Sequence, residues 1–370
     1  MKVESISIQN FKLFENLEVS FKNPILDEVS NRFLILGDNG TGKTTLLQAI
    51  ALPLALATRQ ISSVADFNWV GFLPSRYWKW GTPKIELIVS FEEQEIQATQ
   101  EIAEQWYEAQ PETFKSKNSF LKPGNSKSVR LILEGDYWEA GTTDEERLQF
   151  QGRYYTQWLV NRGEQSYRSH FSKLPGIFWF DQFRNLASNT YKEKNGDGWR
   201  EPGGGGSFEV GIGSLRQYLI QWKYKQDSTQ KGSPDDYWLM ELEKLYKKIF
   251  SDRSFWGVEQ MPKFNSPTEQ ESYFVLNDGN RTYDIVEMSA GEQQIFPILY
   301  AFIRQKIDYS VVLIDEIDLN LHPPLAQFLV GVLRKIKPTC QFIFTTHSEA
   351  VRDLISKENT YRLKGGSLCL

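Results

Sequence analysis

The stretch Gly37-Asp38-Asn39-Gly40-Thr41-Gly42-Lys43-Thr44 constrains this chain more than any other segment. It has the spacing G-x-x-x-x-G-K-T, follows an apolar run from Arg32 to Leu36, and opens a second apolar run from Thr44 to Thr58. Glycines let such a loop wrap so that successive backbone N–H groups and a helix N-terminus face phosphate oxygens. In that context Gly37, Asn39, Gly40, Gly42 and Thr45 surround a polyphosphate. Lys43 reaches its β- and γ-phosphates, and the Thr44 hydroxyl lies on Mg²⁺. ATP and Mg²⁺ are the expected ligands.

Two further strand ends carry complementary chemistry. Val311-Val312-Leu313-Ile314-Asp315-Glu316 reads as a buried strand ending in two acids, where α/β sheets hold their ligands. Asp315 is expected to orient Mg²⁺ through its water shell, and Glu316 to polarise the attacking water as a general base. The run from Gln341 to Phe344 leads into Thr345-Thr346-His347-Ser348. With the phosphate loop and the acids present, His347 is read as a contact to the terminal phosphate.

Composition narrows the alternatives. Two cysteines, Cys340 and Cys369, with three histidines, leave no disulfide framework or thiolate zinc site, so a metal must be held mainly by oxygen. A net charge of −5 argues against a globally basic nucleic-acid coat. No apolar run reaches the ~18 residues of a membrane span. The start MKVESISIQNF alternates like a strand and not like a signal peptide, so a cytoplasmic protein with no membrane partner is expected. Phe67, Trp69, Phe72, Tyr77, Trp78 and Trp80 form an aromatic cluster, read first as packing of an inserted segment and otherwise as a partner interface. Phe114 to Arg130 holds five basic residues and no acid. It reads as a solvated loop, with a phosphate-backbone contact to DNA as the alternative.

Periodicity predicts strands over Val3 to Gln9, Leu17 to Phe21 and Arg32 to Leu36 as a β-meander. A buried helix follows, with Pro53 threatening a kink. Strands are expected over Lys84 to Phe91, Val129 to Leu133 and Gly176 to Phe180, with helices over Glu92 to Gln110 and Thr142 to Asn161. Asn195 to Ser207 carries NGDG and GGGG, a linker signature. Helices over Leu215 to Tyr224 and Tyr237 to Phe250, joined by Gly232-Ser233-Pro234, then make a small helical subdomain. A hairpin around Asn277 to Asn280 and regular helix–strand alternation end the chain. These readings divide it into an N-terminal lobe 1–185 with an inserted segment 59–170, a linker and helical subdomain 186–270, and a C-terminal lobe 271–370.

Met288-Ser289-Ala290-Gly291-Glu292-Gln293-Gln294 gives this division a family context. It resembles the signature motif of ABC ATPases, specifically the branch with SMC, RecF and OLD-type heads. Ala290 stands where transporters usually carry a second glycine. Glu316-Ile317-Asp318-Leu319-Asn320-Leu321-His322-Pro323 is similar to the branch's D-loop and Leu-His-Pro step, and Ile8 to Phe14 resembles its opening strand-turn. The resemblance covers roughly residues 1 to 60 and 270 to 355. It implies an α/β P-loop NTPase fold: an ABC-ATPase head with an antiparallel β-meander at its start and a helical insertion, without a long coiled coil.

It also implies an ATPase that closes as a head-to-head homodimer, or a higher oligomer, in which Ser289 and Gly291 grip the γ-phosphate bound by the other copy. Asp318 and His322 then lie near the seam, with a packing role for His322. The family's Q-loop glutamine, which contacts Mg²⁺ and the attacking water, maps onto Gln182 in Gly176 to Arg184; Arg184 contacts either phosphate or a carboxylate. Phe11, Phe14 and Phe21 are the options for stacking on adenine. OLD proteins append a Toprim nuclease, for which the stretch after His347 is too short. Related compact heads pair with separate nucleases or toxins in the Septu, retron and PARIS kinds of prokaryotic antiviral defence, so a separate effector is expected. A DNA-repair ATPase and the ATP-binding subunit of a transporter are the alternatives.

Overall fold

Val3, Ile6, Ile8 and Phe11 are buried along strand β1 (Lys2–Phe11), which has the one-sided pattern of a strand with a single covered face. The computed structural model describes residues 1–182, 212–228 and 237–364. β1 pairs antiparallel with β2 (Phe14–Ser20). The third strand expected in that meander, β3 (Arg32–Leu36), leaves this sheet and pairs in parallel elsewhere. Its sequence explains the departure. Phe33, Leu34, Ile35 and Leu36 are all buried, a continuous run that suits a strand covered on both faces.

Helix α1 (Lys43–Ala57) follows and runs on through Pro53. Next come β4 (Lys84–Ser90), α2 (Glu93–Glu108), α3 (Glu112–Lys115), β5 (Ser128–Glu134), β6 (Tyr137–Ala140), α4 (Asp144–Leu148) and α5 (Gly152–Asn161). The antiparallel sheet has the order β2-β1-β4-β5-β6. The chain continues through β7 (Gly176–Phe180), α6 (Ile212–Asp227), α7 (Trp238–Lys247), β8 (Ser254–Lys263), β9 (Ser266–Asn277), β10 (Thr282–Asp284) and α8 (Ala290–Arg304). It closes with β11 (Ser310–Ile314), α9 (Pro323–Ile336), β12 (Gln341–Thr346), α10 (Glu349–Arg352) and β13 (Thr360–Arg362). A parallel sheet of order β13-β3-β12-β11-β7 forms the centre. The glycine-rich linker around 195–207, the turn 232–234, Arg184 and Cys369 lie outside the described residues.

Alternation along the parallel strands divides the core in two. Phe33, Ile35, Ile177, Trp179, Val311, Leu313 and Ile343 face α1 and, beyond it, the antiparallel sheet. Leu34, Leu36, Phe178, Phe180, Val312, Ile314, Phe342 and Phe344 face the side covered by α6 to α9. α1 lies between two sheets, which is why it is apolar around nearly its whole circumference. Four of the clustered aromatics, Phe67, Trp69, Phe72 and Tyr77, are buried here, and Trp69 stacks on Trp179 at 5.7 Å with planes 2° apart. The packing reading holds for these four, while Trp78 and Trp80 remain exposed.

The helices α6 and α7 share one core with α8, where Trp222 stacks on Tyr300 at 5.0 Å and Tyr246 meets Phe296 edge-on at 5.6 Å. β8 is unexpected from the sequence, because register shifts at Phe255/Gly257 and Pro262/Lys263 interrupt its two-residue alternation. In the basic stretch, Arg130 is bound by Glu86 in a two-point pair at 2.6 and 2.5 Å, and Lys115 faces Glu112.

Candidate active site

Parallel pairing brings four chain segments to one edge of the central sheet. Leu36 is level with Thr346, and Ile314 with both Phe344 and Phe180. The residues that follow, Gly37, His347, Asp315 and Asp181–Gln182, therefore leave neighbouring strands at their C-terminal ends, the position where open α/β sheets bind ligands. The sequence could specify each strand end; register alone makes them adjacent.

The loop itself has the geometry its glycines allow. Gly40 and Gly42 have φ of 82° and 98°, and a Cβ at Gly42 would stand 2.7 Å from the Phe14 ring. Gly42 gives α1 no side-chain cap and the first turn carries no acid, so the helix N-terminus keeps its partial positive charge for an anion. Lys43 is 6% exposed and its Nζ donates to the carbonyls of Gly37 at 2.8 Å and Asp38 at 3.0 Å, which holds the ammonium inside the loop. Thr45 is buried beside it, whereas Asn39 and Gly40 are exposed at the tip.

Thr44 and Asp315, 271 positions apart, touch: the Thr44 hydroxyl donates to Asp315 Oδ2 at 2.6 Å. A hydroxyl and a carboxylate are hard oxygen donors of the kind Mg²⁺ takes, so the residues present fit that ion. Asp315 is fully buried, and its backbone N–H extends the ladder to Phe180 O at 2.9 Å. Glu316 follows with φ of 45°, a left-handed conformation that costs a non-glycine residue about 1–3 kcal/mol and turns the chain sharply off its strand. Gln182 is half-buried two residues beyond β7, and His347 is exposed one residue beyond β12.

One contributor escaped the sequence reading. Thr345, fully buried, donates from Oγ1 to Asp315 Oδ1 at 2.5 Å and accepts from the Glu316 N–H at 2.7 Å. Its signal in the sequence is the paired threonine before His347. Thr346 likewise donates to Asp318 Oδ1 at 2.5 Å.

Ser289 and Gly291 stand apart from this group. Ser289 caps α8 in a reciprocal capping box, its Oγ donating to Glu292 Oε2 at 2.7 Å while the Glu292 N–H points back to Oγ at 3.4 Å. Ser289 is exposed, and its hydrogen bonds stay within its own segment. Gly291 adjoins the turn before α9, where an added Cβ would stand 3.4 Å from Leu321. His322, expected to pack near the seam, is an exposed N-cap of α9 whose carbonyl accepts from the N–H groups of Leu325 and Ala326. Among the adenine options, Phe11 and Phe21 are wholly buried, and Phe14 lies against the loop at Gly42.

Glu292 anchors the signature turn. Burial alone would raise its pKa, but bonds from Tyr246, Ser289 and Tyr283 outweigh this and hold the carboxyl below its ordinary value; Arg253 lies 3.5 Å away. A lowered native pKa adds stability that is full above the ordinary value of 4.5 and is lost as pH falls through the native value. Glu292→Gln is therefore expected to cost about 2 kcal/mol at pH 7. The gap from the native protein should shrink on acidification below 4.5, as read from denaturant midpoints across that range.

Comparison with known proteins agrees with this architecture. Residues 1–131 match the family model described as "AAA ATPase domain", and residues 222–353 match "AAA domain, putative AbiEii toxin, Type IV TA system". The chain is 33% identical over 103 residues to the retron Ec83 probable ATPase of Escherichia coli, covering 25% of this chain and 19% of that protein. It is 24% identical over 366 residues to the Septu protein PtuA of Bacillus mycoides, covering 96% of this chain and 40% of that one. It thus spans two fifths or less of these two relatives. The DNA replication and repair protein RecF of Heliobacterium modesticaldum is 24% identical over 394 aligned positions, covering 100% of this chain and 99% of RecF. The phosphate loop, paired acids and capped signature helix thus stand on one parallel-sheet head, ATPase-domain models match its two ends, and the chain is similar to ATPases of the Septu, retron and RecF kinds.

Proposed function

We propose that this chain is a Mg²⁺-dependent ATP hydrolase that closes head to head on a second copy around two ATP molecules and controls a separate effector, a nuclease or toxin, in prokaryotic antiviral defence. The observation that carries the hydrolase reading is the meeting of Thr44 and Asp315 beside an uncapped helix N-terminus. Mg²⁺, when bound there, neutralises charge on the β- and γ-phosphates. Lys43 and the α1 N–H groups bind the phosphates; Glu316 takes the proton of the attacking water, which Gln182 orients; His347 donates to the terminal phosphate. The lobes 1–185 and 271–370 supply these groups, and the segment 186–270 lies between them in sequence.

The trans role rests on Ser289 and Gly291. Ser289 is exposed at the N-terminus of α8 and makes no hydrogen bond to its own copy's loop among the described residues. A second copy's γ-phosphate suits that position. Light scattering tests this: mass is expected to double on adding Mg-ATP, and Ser289→Arg to abolish the doubling while leaving ATP binding unchanged. A monomer at saturating Mg-ATP overturns the sandwich.

The defence role follows the likeness to Septu PtuA and the retron Ec83 ATPase, and a cytoplasmic location goes with it. Affinity purification from the native host is expected to bring down a nuclease-like or toxin-like polypeptide. Recovery of DNA with no such protein would favour the second reading, a DNA-repair ATPase, for which the end-to-end match to RecF speaks. A membrane permease would overturn both.

A further inference from the structure

Thr345 hydrogen-bonds to both strand-end acids. It is the last but one residue of β12, fully buried, and uses its hydroxyl twice, as donor to Asp315 Oδ1 at 2.5 Å and as acceptor from the Glu316 N–H at 2.7 Å. Its carbonyl also accepts from the Ile317 N–H at 3.0 Å. We propose that Thr345 is a positioning residue for hydrolysis, its hydroxyl setting the rotamer of Asp315 and the backbone of Glu316.

Two physical features argue for this. Asp315 has its oxygens on opposite threonines, Oδ2 on Thr44 and Oδ1 on Thr345, so its carboxylate plane is defined from both sides. A carboxylate held by one partner keeps a broad torsional freedom about its terminal bond; two opposed donors remove it. Glu316, for its part, sits at a left-handed φ of 45°. Such a conformation persists when surrounding contacts over-determine it, and the bond from its own N–H to Thr345 is one of those contacts. Since a general base must lie within hydrogen-bond reach of its water, small changes in this backbone alter proton transfer directly.

The arrangement also places Thr345 between two elements that act at different stages. β12 delivers His347, and the next residue along, Thr346, ties Asp318 to the same strand end while accepting from the Ser348 N–H at 2.9 Å. A displacement of the β12 end is thereby transmitted to both acids.

This inference rests on the roles assigned above to Asp315 and Glu316, and the experiment separates the two. Thr345→Val keeps shape and removes the hydroxyl; Thr345→Ser keeps the hydroxyl and removes a methyl. Valine is expected to lower kcat by about 10–100-fold with KM for ATP within about twofold of native. It is also expected to raise the Mg²⁺ concentration for half-maximal binding of AMP-PNP, measured by calorimetry, by about 5–10-fold, with AMP-PNP binding in EDTA unchanged. Serine is expected to restore both quantities. Should the valine variant fail to fold, Thr345→Ala takes its place with the same expectations.

Native kcat and Mg²⁺ midpoint in the valine or alanine variant overturn the proposal. So does a serine variant as impaired as the valine, which would mark Thr345 as packing alone. If the native protein turns over no ATP, the assignment of the hydrolytic residues fails, while the Mg²⁺ midpoint of AMP-PNP binding still decides whether Thr345 positions Asp315.

Discussion

Glu316→Gln is expected to slow ATP turnover by about 10²–10⁴-fold while leaving ATP affinity near that of the native protein. The side chain stays the same size and keeps an oxygen, so the left-handed turn at Glu316 and the bond from its N–H to Thr345 are undisturbed. What is lost is the capacity to accept a proton from water. Because the variant binds without cleaving, it should also accumulate as the closed dimer in Mg-ATP, visible as doubled mass that persists through gel filtration. Single-turnover hydrolysis at the native rate would remove Glu316 from the role of base.

The second large effect is expected at Lys43. Lys43→Ala removes a buried ammonium aimed into the loop, and kcat/KM should fall by about 10²–10³-fold or more, the usual loss for one preorganised phosphate or oxyanion partner. Unlike Glu316→Gln, this variant should lose binding as well as turnover, since the charge acts on ground state and transition state alike. Its fold should survive. Lys43 bonds only to the carbonyls of its own loop among its described hydrogen bonds, and those carbonyls can turn to water at the exposed tip. Equilibrium binding of a fluorescent ATP analogue and a thermal melt distinguish the two outcomes; native affinity in Lys43→Ala would overturn the assignment of the phosphate loop.

Together these variants divide the site by stage. On the proposed function, Lys43 is assigned to capture, Glu316 to cleavage and Ser289 to closure on a second copy. The exposed Ser289 and the buried Glu292 share one turn, so the proposed closure surface is braced by a carboxylate whose partners, Tyr246 and Tyr283, come from α7 and β10.

Much of this was legible from residue order alone, because motifs such as Gly37 to Thr44 join chemistry to local geometry within eight positions. Helix and strand types from Gly291 onward followed from period, and the apolar run from Thr44 to Thr58 already implied a buried helix. Local pattern could not reveal pairing partners. β3 was expected beside β2, yet it is covered on both faces and sits beside β12, since sheet membership depends on what covers each face and not on neighbours along the chain. β8 was missed for a related reason: its irregular ladder is held by β9, a partner that supplies the regularity its own sequence lacks.

The same boundary runs through the site. The amino-acid order by itself determined which groups are candidates for the chemistry, namely a loop able to wrap a polyphosphate, two acids after a buried strand and a capping serine before a helix, because each is a short-range matter of residue type and backbone freedom. Only the tertiary structure decided that Thr44 meets Asp315 across 271 positions and that Thr345 holds both acids, because these contacts are created by strand register, and a hydroxyl carries no mark in sequence of the carboxylate it will face.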